Sequence, residues 1–279
     1  MPDCSAHPIT PRVVAIATDS YLTPTTSFPD PANLPGLTIP PRYGQDIQSG
    51  TGRAAPAGQS VGTTVTDLQA KMRALLGQFA GGDTSGMALR LFNAFLVNNT
   101  HPVAFFDDGS LTAAAARHQN ITFFCHAALS APTSAFRAAG KTRIHQALRN
   151  AGWDINRLVR PTDLGVPALN IGSKMFSTGD FNNGLGLMIN GIQHGYVVAT
   201  HYRHDAAANR YCIKLRYIFY DVFGLDDDDL TEFGAASDSW TESTAAKGIT
   251  AWWQLQHQHG YAPLVTRIVV EMTHEAPSV

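Results

Sequence analysis

An alternating run of side chains at residues 211–222 places the strongest limit on how this chain can fold. The odd positions carry Tyr211, Ile213, Leu215, Tyr217 and Phe219, and the even positions carry Cys212, Lys214, Arg216, Ile218 and Tyr220. Successive side chains of a β-strand point to opposite faces of the sheet, so this period of two predicts a long strand. Any fold of the chain must therefore contain a sheet that accommodates it.

The order of the other predicted elements indicates the fold class. Helical periodicity predicts helices at residues 64–79, 87–97, 111–118, 120–129, 134–151 and 244–259. Extended segments are predicted at residues 101–106, 167–176, 196–202 and 261–272, with a hairpin turn at 204–209. Helices thus precede strands, and a C-terminal helix and a closing strand follow. This segregation predicts an α+β fold with an antiparallel β-sheet, for which a half-barrel is an open alternative.

The first part of the chain differs in composition from the rest. Residues 1–62 are rich in Pro, Thr, Ser and Gly, and pairs such as Pro40-Pro41 cannot continue a helix. The segment is expected to be an extended arm, or alternatively a tail that packs on the domain surface. Residues 63–279 are expected to form a single α+β domain, helical at 63–160 and β-rich at 161–279, where the site is expected.

Charge and cysteine content limit the possible functions. The formal net charge is -2 and no basic run is present, which disfavours a nucleic-acid partner. Cys4, Cys125 and Cys212 form no metal-knuckle spacing, and their odd number argues against a disulfide framework, as expected of a chain made in a reducing cytoplasm. The sequence shows neither a signal peptide nor a run of 18 apolar residues.

Acidic residues at the end of the alternating run form the first candidate site. Asp226, Asp227, Asp228 and Asp229 are consecutive, and carboxylates favour the start of a helix. A solvated helix cap is one interpretation, and oxygen ligands for Mg²⁺ or Ca²⁺ from Asp226 and Asp228 are the other. Asp221 directly follows the strand, so it is expected to be partly buried, with a shifted pKa suited to acid–base chemistry.

Two further groups carry possible chemistry. His194, His201 and His204 lie close in sequence with Arg203, and adjacent strands could bring them to Asp221 for acid–base work or metal binding. Polar residues beside a hairpin are the alternative. A glycine-rich stretch contains Asp180 and Asn182, where glycine permits close backbone approach to a ligand or simply tight turns.

Residues 217–230 (YIFYDVFGLDDDDL), 251–257 (AWWQLQH) and 260–264 (GYAPL) resemble a proteobacterial family, domain of unknown function 3289. The resemblance extends over residues 64–273, although Val222 stands where many members have His. It implies a toxin or effector associated with secretion systems that attack rival bacteria.

A second resemblance is to the catalytic domain of colicin M, which cleaves lipid II between undecaprenol and pyrophosphate. The stretch at Asp180, the tyrosine–aspartate pair Tyr220-Asp221 and the closing helix and strand follow in similar order. The chain departs at Ile218, where that toxin has a carboxylate, and acidic residues replace its downstream His-Arg pair.

The resemblances together imply an antibacterial effector made without a signal peptide, injected by a secretion system such as type VI and acting in the target's periplasm on lipid II or another envelope substrate. Asp221 is then a base or metal ligand, Tyr220 a positioning group and His201 and Arg203 phosphate contacts. Asp180, Asn182 and His204 are assigned to substrate binding, and a divalent cation, a cognate immunity protein and a secretion carrier are implied. The alternative is a non-enzymatic protein, either a membrane-perturbing toxin or a cation- or partner-binding module.

Overall fold

A six-stranded open sheet organises the protein. The computed structural model describes residues 4–18, 41–55, 59–81, 85–97, 103–127, 143–165, 169–170, 184–192, 194–235 and 243–278. The strands are β1 (Pro8–Thr18), β2 (Ala104–Phe106), β3 (Thr162–Gly165), β4 (Leu169–Asn170), β5 (Gly191–Ile192), β6 (His194–Asp205), β7 (Arg210–Phe223) and β8 (Leu264–Pro277). The large sheet has the order β2-β8-β7-β6-β1-β3, and β4 pairs with β5 separately.

The direction of the strands agrees with the expected sheet at its centre and differs at its edges. β1, β6, β7 and β8 pair antiparallel, with β7 as the predicted alternating strand. The edge strands β2 and β3 run parallel to β8 and β1. The α+β class is therefore confirmed, but the sheet is mixed and does not close. Both parallel strands are short segments between helices, which carry too few residues to show the alternation of β7.

Helices cover one face of this sheet. They are α1 (Val65–Phe79), α2 (Ser85–Val97), α3 (Gly109–Arg117), α4 (Gln119–Ala127), α5 (Ile144–Asn150), α6 (Leu185–Met188), α7 (Asp227–Phe233) and α8 (Thr244–Gln258). Their starts follow the expected chemistry: Thr64 caps α1, Asp108 caps α3 and Ser243 caps α8 through side-chain oxygens. Most of the predicted strand at 167–176 lies outside the described residues, as does the first half of the predicted helix at 134–151.

The two faces of β7 are buried against different partners. Its odd positions pack with the helices in one large core, together with Phe92, Phe95 and Trp252. Ile218 and Tyr220 belong to a second, smaller cluster, which is covered by Tyr43 and Ile47. Complete burial of one such apolar side chain contributes about 1.5–3 kcal/mol, so this covering segment stabilises the sheet substantially.

The described part of the predicted N-terminal arm is integrated into the fold. β1 lies between β6 and β3, inside the sheet, and Tyr43 and Ile47 cover its second face. Pairing to a strand some 180 residues away leaves no local periodic signal, and the helix-breaking residues around it suggested an arm instead. No helix in the described part of the chain is both long and apolar enough for a membrane crossing.

Candidate functional site

Asp221 lies near the end of β7, opposite Thr266 of β8. The Thr266 hydroxyl donates to the Asp221 carbonyl oxygen at 3.1 Å, which fixes the backbone here. Strand alternation directs the Asp221 side chain to the face of Phe219 and Phe223, toward the helices. Tyr220 belongs to the opposite face, where it packs beside His194. The two residues that match the tyrosine–aspartate pair of colicin M therefore face away from each other.

The Asp221 carboxylate is closely surrounded by protein, and the residue as a whole is half-buried. Burial raises its pKa to about 7, and the nearby charge of Asp229 acts in the same direction. Backbone N–H groups of Gly191, Val222 and Asn190 donate to the carboxylate and oppose the shift without cancelling it.

The acidic run behind Asp221 begins α7, as the sequence predicts. The Asp226 carboxylate accepts from the N–H groups of Asp228 and Asp229 at 2.9 and 3.1 Å, and the Asp229 carboxylate accepts from Asp226 N–H at 3.1 Å. This reciprocal arrangement is a capping box. Burial raises the pKa of Asp229 to about 7, reinforced by the charges of Asp226, Glu232 and Asp228.

The predicted metal ligands are placed differently from each other. An oxygen of Asp226 is engaged in capping, while Asp228 is exposed on the first turn of α7. Within the described ranges, no set of three or more His, Cys, Asp or Glu side chains has an arrangement that could hold a metal ion. A Mg²⁺ or Ca²⁺ site at Asp226 and Asp228 remains a prediction.

Asp46 is a member of the site that the sequence did not reveal. It lies on a short 3₁₀ turn, Gln45–Ile47, between the buried side chains of Tyr43 and Ile47. Burial raises its pKa well above the usual range, and the charges of Asp221, Asp229 and Asp226 raise it further. Its Oδ1 atom is buried without a hydrogen-bond partner. Asp46, Asp221 and Asp229 together are called the carboxyl cluster below.

A signal for Asp46 was present but weak. Tyr43 and Ile47 are large apolar residues four positions apart within a stretch that is otherwise rich in Pro, Gly and polar residues. Such a pair in an apparent arm indicates a turn that packs on the domain. The polar residue between them is then a candidate for partial burial.

The predicted histidine group does not join this site. His201 pairs with Lys214 of β7, so it lies seven residues along the strand from Asp221, about 23 Å at ~3.3 Å per residue. Arg203 contacts His7 and Asp205, and His204 stacks on Trp153 and contacts Ser278. The long hairpin carries these residues away from Asp221. The roles expected for them at Asp221 are therefore not supported by their positions.

His194 is the histidine beside Tyr220. Its ring is 2% exposed and lies 4.6 Å from the ring of Tyr196 between centroids. The Nδ1 atom is 2.8 Å from Thr18 Oγ1, and burial, aided by the charge of Arg42, lowers the pKa of the ring to about 3. The imidazole is therefore neutral at physiological pH. Asp180 and Asn182, the other expected substrate contacts, lie outside the described residues.

The carboxyl cluster can hold and transfer protons near neutral pH. Its members compete for the same protons, because each ionised carboxylate makes ionisation of its neighbours less favourable. Burial raises the pKa of Asp46 well above its usual range and raises the pKa values of Asp221 and Asp229 to about 7. One proton donor and one proton acceptor in the same place are what general acid–base catalysis requires.

The chain was compared with protein families, curated proteins and solved structures. No protein-family model, curated protein or solved structure matches the chain. The resemblances to domain of unknown function 3289 and to colicin M therefore remain predictions.

Proposed function

We propose that the protein is a hydrolase in which Asp46 acts as general acid and Asp221 as general base. The observation that carries the proposal is the carboxyl cluster itself: burial raises the pKa of Asp46 well above its usual range and the pKa values of Asp221 and Asp229 to about 7, and all three residues are half-buried. Such a cluster destabilises the folded protein above neutral pH, and perturbed groups of this kind concentrate at functional sites.

The chemistry is a hydrolytic substitution. The ionised Asp221 carboxylate accepts a proton from water as the water oxygen attacks the electrophilic carbon of the substrate. The bond to the leaving group then breaks, its electron pair stays with the leaving atom, and the protonated Asp46 delivers the proton that this atom needs. Asp229 raises the pKa of Asp221 through its charge and so improves it as a base.

The charge of the site favours a substrate that is neutral at the reacting bond. At pH 7 the cluster carries a partial negative charge, and Asp226 and Asp228 add to it from the same helix start. A pyrophosphate would be repelled unless a cation intervened. A glycosidic or amide bond of an envelope polymer fits better than the lipid II linkage implied by colicin M. The role of an antibacterial effector, with an immunity protein and a secretion carrier, rests on the resemblance alone.

The test combines hydrolysis and toxicity. The purified chain is incubated with peptidoglycan sacculi between pH 5 and pH 9, and released fragments are measured. Activity should rise as Asp221 ionises near pH 7 and fall again at higher pH. Asp221→Asn should lower the rate by about 10²–10⁴-fold, a range typical of a lost acid–base group. Asp228→Asn is the matched control, because it removes an exposed carboxylate from the same run and should leave the rate within about twofold.

The same variants are expressed in the cytoplasm and in the periplasm of a susceptible bacterium. Toxicity confined to the periplasm and lost in Asp221→Asn supports the proposal. Periplasmic toxicity that persists in Asp221→Asn would instead favour the non-enzymatic alternative. The effector role is abandoned if neither compartment shows toxicity.

A further inference from the structure

Two buried glutamines on α8 tie different parts of the N-terminal region to the domain. Gln254 and Gln256 are 1% and 0% exposed. Gln254 accepts from Val61 N–H at 3.0 Å and donates to Ser60 Oγ at 3.0 Å and to the Gly62 carbonyl at 3.2 Å. It therefore anchors the segment that leads into α1, away from the carboxyl cluster.

Gln256 binds the segment of Asp46 and the loop after β7 at the same time. Its Nε2 lies 2.9 Å from the Asp46 carbonyl oxygen, 2.6 Å from that of Gln48 and 3.0 Å from that of Leu225. Its Oε1 accepts from Leu225 N–H at 2.9 Å. The two amide hydrogens are shared among three carbonyl oxygens, so the side chain is held firmly in one orientation.

The contact between that segment and that loop is close. A Cβ atom placed on Gly224 would lie 2.2 Å from the Asp46 carbonyl oxygen, a distance that no real side chain tolerates. His257 adds a second tie, because its Nε2 lies 2.8 Å from the Leu225 carbonyl oxygen and must donate to it. The loop thus approaches the Asp46 backbone directly. It also joins Asp221, on β7, to Asp229, on α7.

We propose that Gln256 is a positioning residue that holds Asp46 beside Asp221 and Asp229 by clamping the Asp46 backbone to the loop after β7. This role deepens the proposed hydrolase function and rests on it for its catalytic meaning. The geometry itself can be tested without any activity.

The charged and titratable groups around the cluster define what a titration will report. Asp46 faces the charges of Asp221, Asp226 and Asp229, and Asp229 also faces Asp228 and Glu232. On the α8 side, His257 faces Arg53, Asp227 and Asp226, and burial lowers its pKa. Carboxyl and imidazole signals must therefore be followed separately, which residue-resolved NMR allows.

The experiment measures the side-chain pKa values of Asp46, Asp221 and Asp229 by carboxyl ¹³C NMR in the full chain. Gln256→Met keeps the length of the side chain and removes its hydrogen bonds. We expect the pKa of Asp46 to fall by more than about one unit toward its ordinary value as the carboxyl gains water. Gln254→Met is the matched control: it removes equally buried hydrogen bonds from the same helix and should shift the pKa of Asp46 by less than about 0.3 units.

Gly224→Ala disturbs the contact between the loop and the Asp46 backbone from the loop side. It is used in place of Gln256→Met if the Gln256→Met protein does not fold. The clamp is refuted if the folded variant leaves the pKa of Asp46 unchanged, or if Gln254→Met lowers it equally. On sacculi, Gln256→Met should reduce kcat by about tenfold or more, with a smaller change in KM. If Gln256→Met shifts the pKa of Asp46 but the unaltered chain releases no fragments from sacculi, the clamp stands and the hydrolase function is rejected; full activity in Asp221→Asn would reject Asp221 as the general base.

Discussion

The two ends of the β6–β7 hairpin place polar residues in opposite environments. Near the turn, Lys214 and Arg216 both pair with Glu271 of β8, at 2.7 and 2.8 Å, on a solvent-accessible face. At the other end, the charges of Asp221 and Asp229 raise the pKa of Asp46, and the charge of Asp229 also raises that of Asp221. Exposed ion pairs contribute about 0–1 kcal/mol each, whereas a buried group of like charge is costly. The exposed ion pairs are thus ordinary surface contacts, whereas the buried carboxyl groups lower the stability of the fold and are better explained by a role in function.

Substituting the histidines at the two ends of β6 should give the largest difference in how the free energy of unfolding depends on pH. The folded pKa of His194, about 3, lies below its value of about 6.5 in an unfolded chain. The neutral ring therefore contributes stability that is fully present above about pH 6.5 and is lost as the pH falls toward 3, up to about 5 kcal/mol. His194→Gln should remove about 3 kcal/mol of the stability difference between pH 7 and pH 4, measured by urea unfolding.

His201→Gln is the control for this prediction, because it changes a partly exposed residue of the same strand near the turn. It should alter the free energy of unfolding by less than about 0.5 kcal/mol at either pH. Equal acid sensitivity of the two variants would contradict the contrast.

Asp221 is expected to show the opposite pH dependence. Its folded pKa of about 7 lies above the unfolded value of about 3.9, so the stability it contributes is fully present below about pH 4 and is lost as the pH rises through 7. Asp221→Asn should therefore raise the free energy of unfolding at pH 8 by up to about 4 kcal/mol and change it little at pH 4. If the Asp221→Asn variant is more stable and inactive, Asp221 serves catalysis at a cost in stability. Lower stability at pH 8 would mean that Asp221 stabilises the fold instead.

Substitution of Glu271, the partner of Lys214 and Arg216 near the turn, is expected to have the smallest effect on stability. The hydrogen bond from Lys214, followed by that from Arg216, lowers the pKa of this carboxyl. Its contribution is therefore present above the unfolded pKa and is lost as the pH falls through the lower folded value. With its side chain 36% exposed, Glu271→Gln should cost only about 0.5–1 kcal/mol at pH 7. The loss should shrink in 1 M NaCl, because salt screens exposed charges.

Most elements of the fold could be predicted because their signals are local. The alternation of β7, the apolar face of α1 and the aspartates that cap α7 each lie within one short window of sequence. The extended segment at 101–106 contains β2, but its pairing with β8 could not be predicted because the partner is far along the chain. β1 and β3 gave no clear strand signal, since their segments are short or rich in proline. The structure also explains the turn of the hairpin, where Asp205 accepts from Ala208 N–H and Asn209 adopts a left-handed φ of 48°.

The site was predictable only in part. Asp221 follows a strong strand signal, so its partial burial could be expected. Asp46 comes from a segment without periodicity, and its proximity to Asp221 depends on hydrogen bonds to Gln256, whose amide gives no sign in the sequence of what it binds. The histidines were expected near Asp221 because adjacent strands could bring them there; in the β6–β7 pair His194 lies opposite Tyr220, whereas His201 and His204 lie opposite Lys214 and Tyr211, toward the other end of the hairpin.

The position of β1 has a consequence for how the protein acquires its structure. Thr18 and His194, which hydrogen bond at the end of the β1–β6 pair, are 176 residues apart in sequence. Contacts of such separation close late and slowly, because the entropy of the intervening chain must be lost before they form. During synthesis β1 therefore remains unpaired until β6 is made, and until β1 and β6 pair, the β6 edge of the β6–β7–β8 sheet is open to pairing with other chains. Refolding should then be limited by long-range pairings of this kind, and its yield should depend steeply on protein concentration.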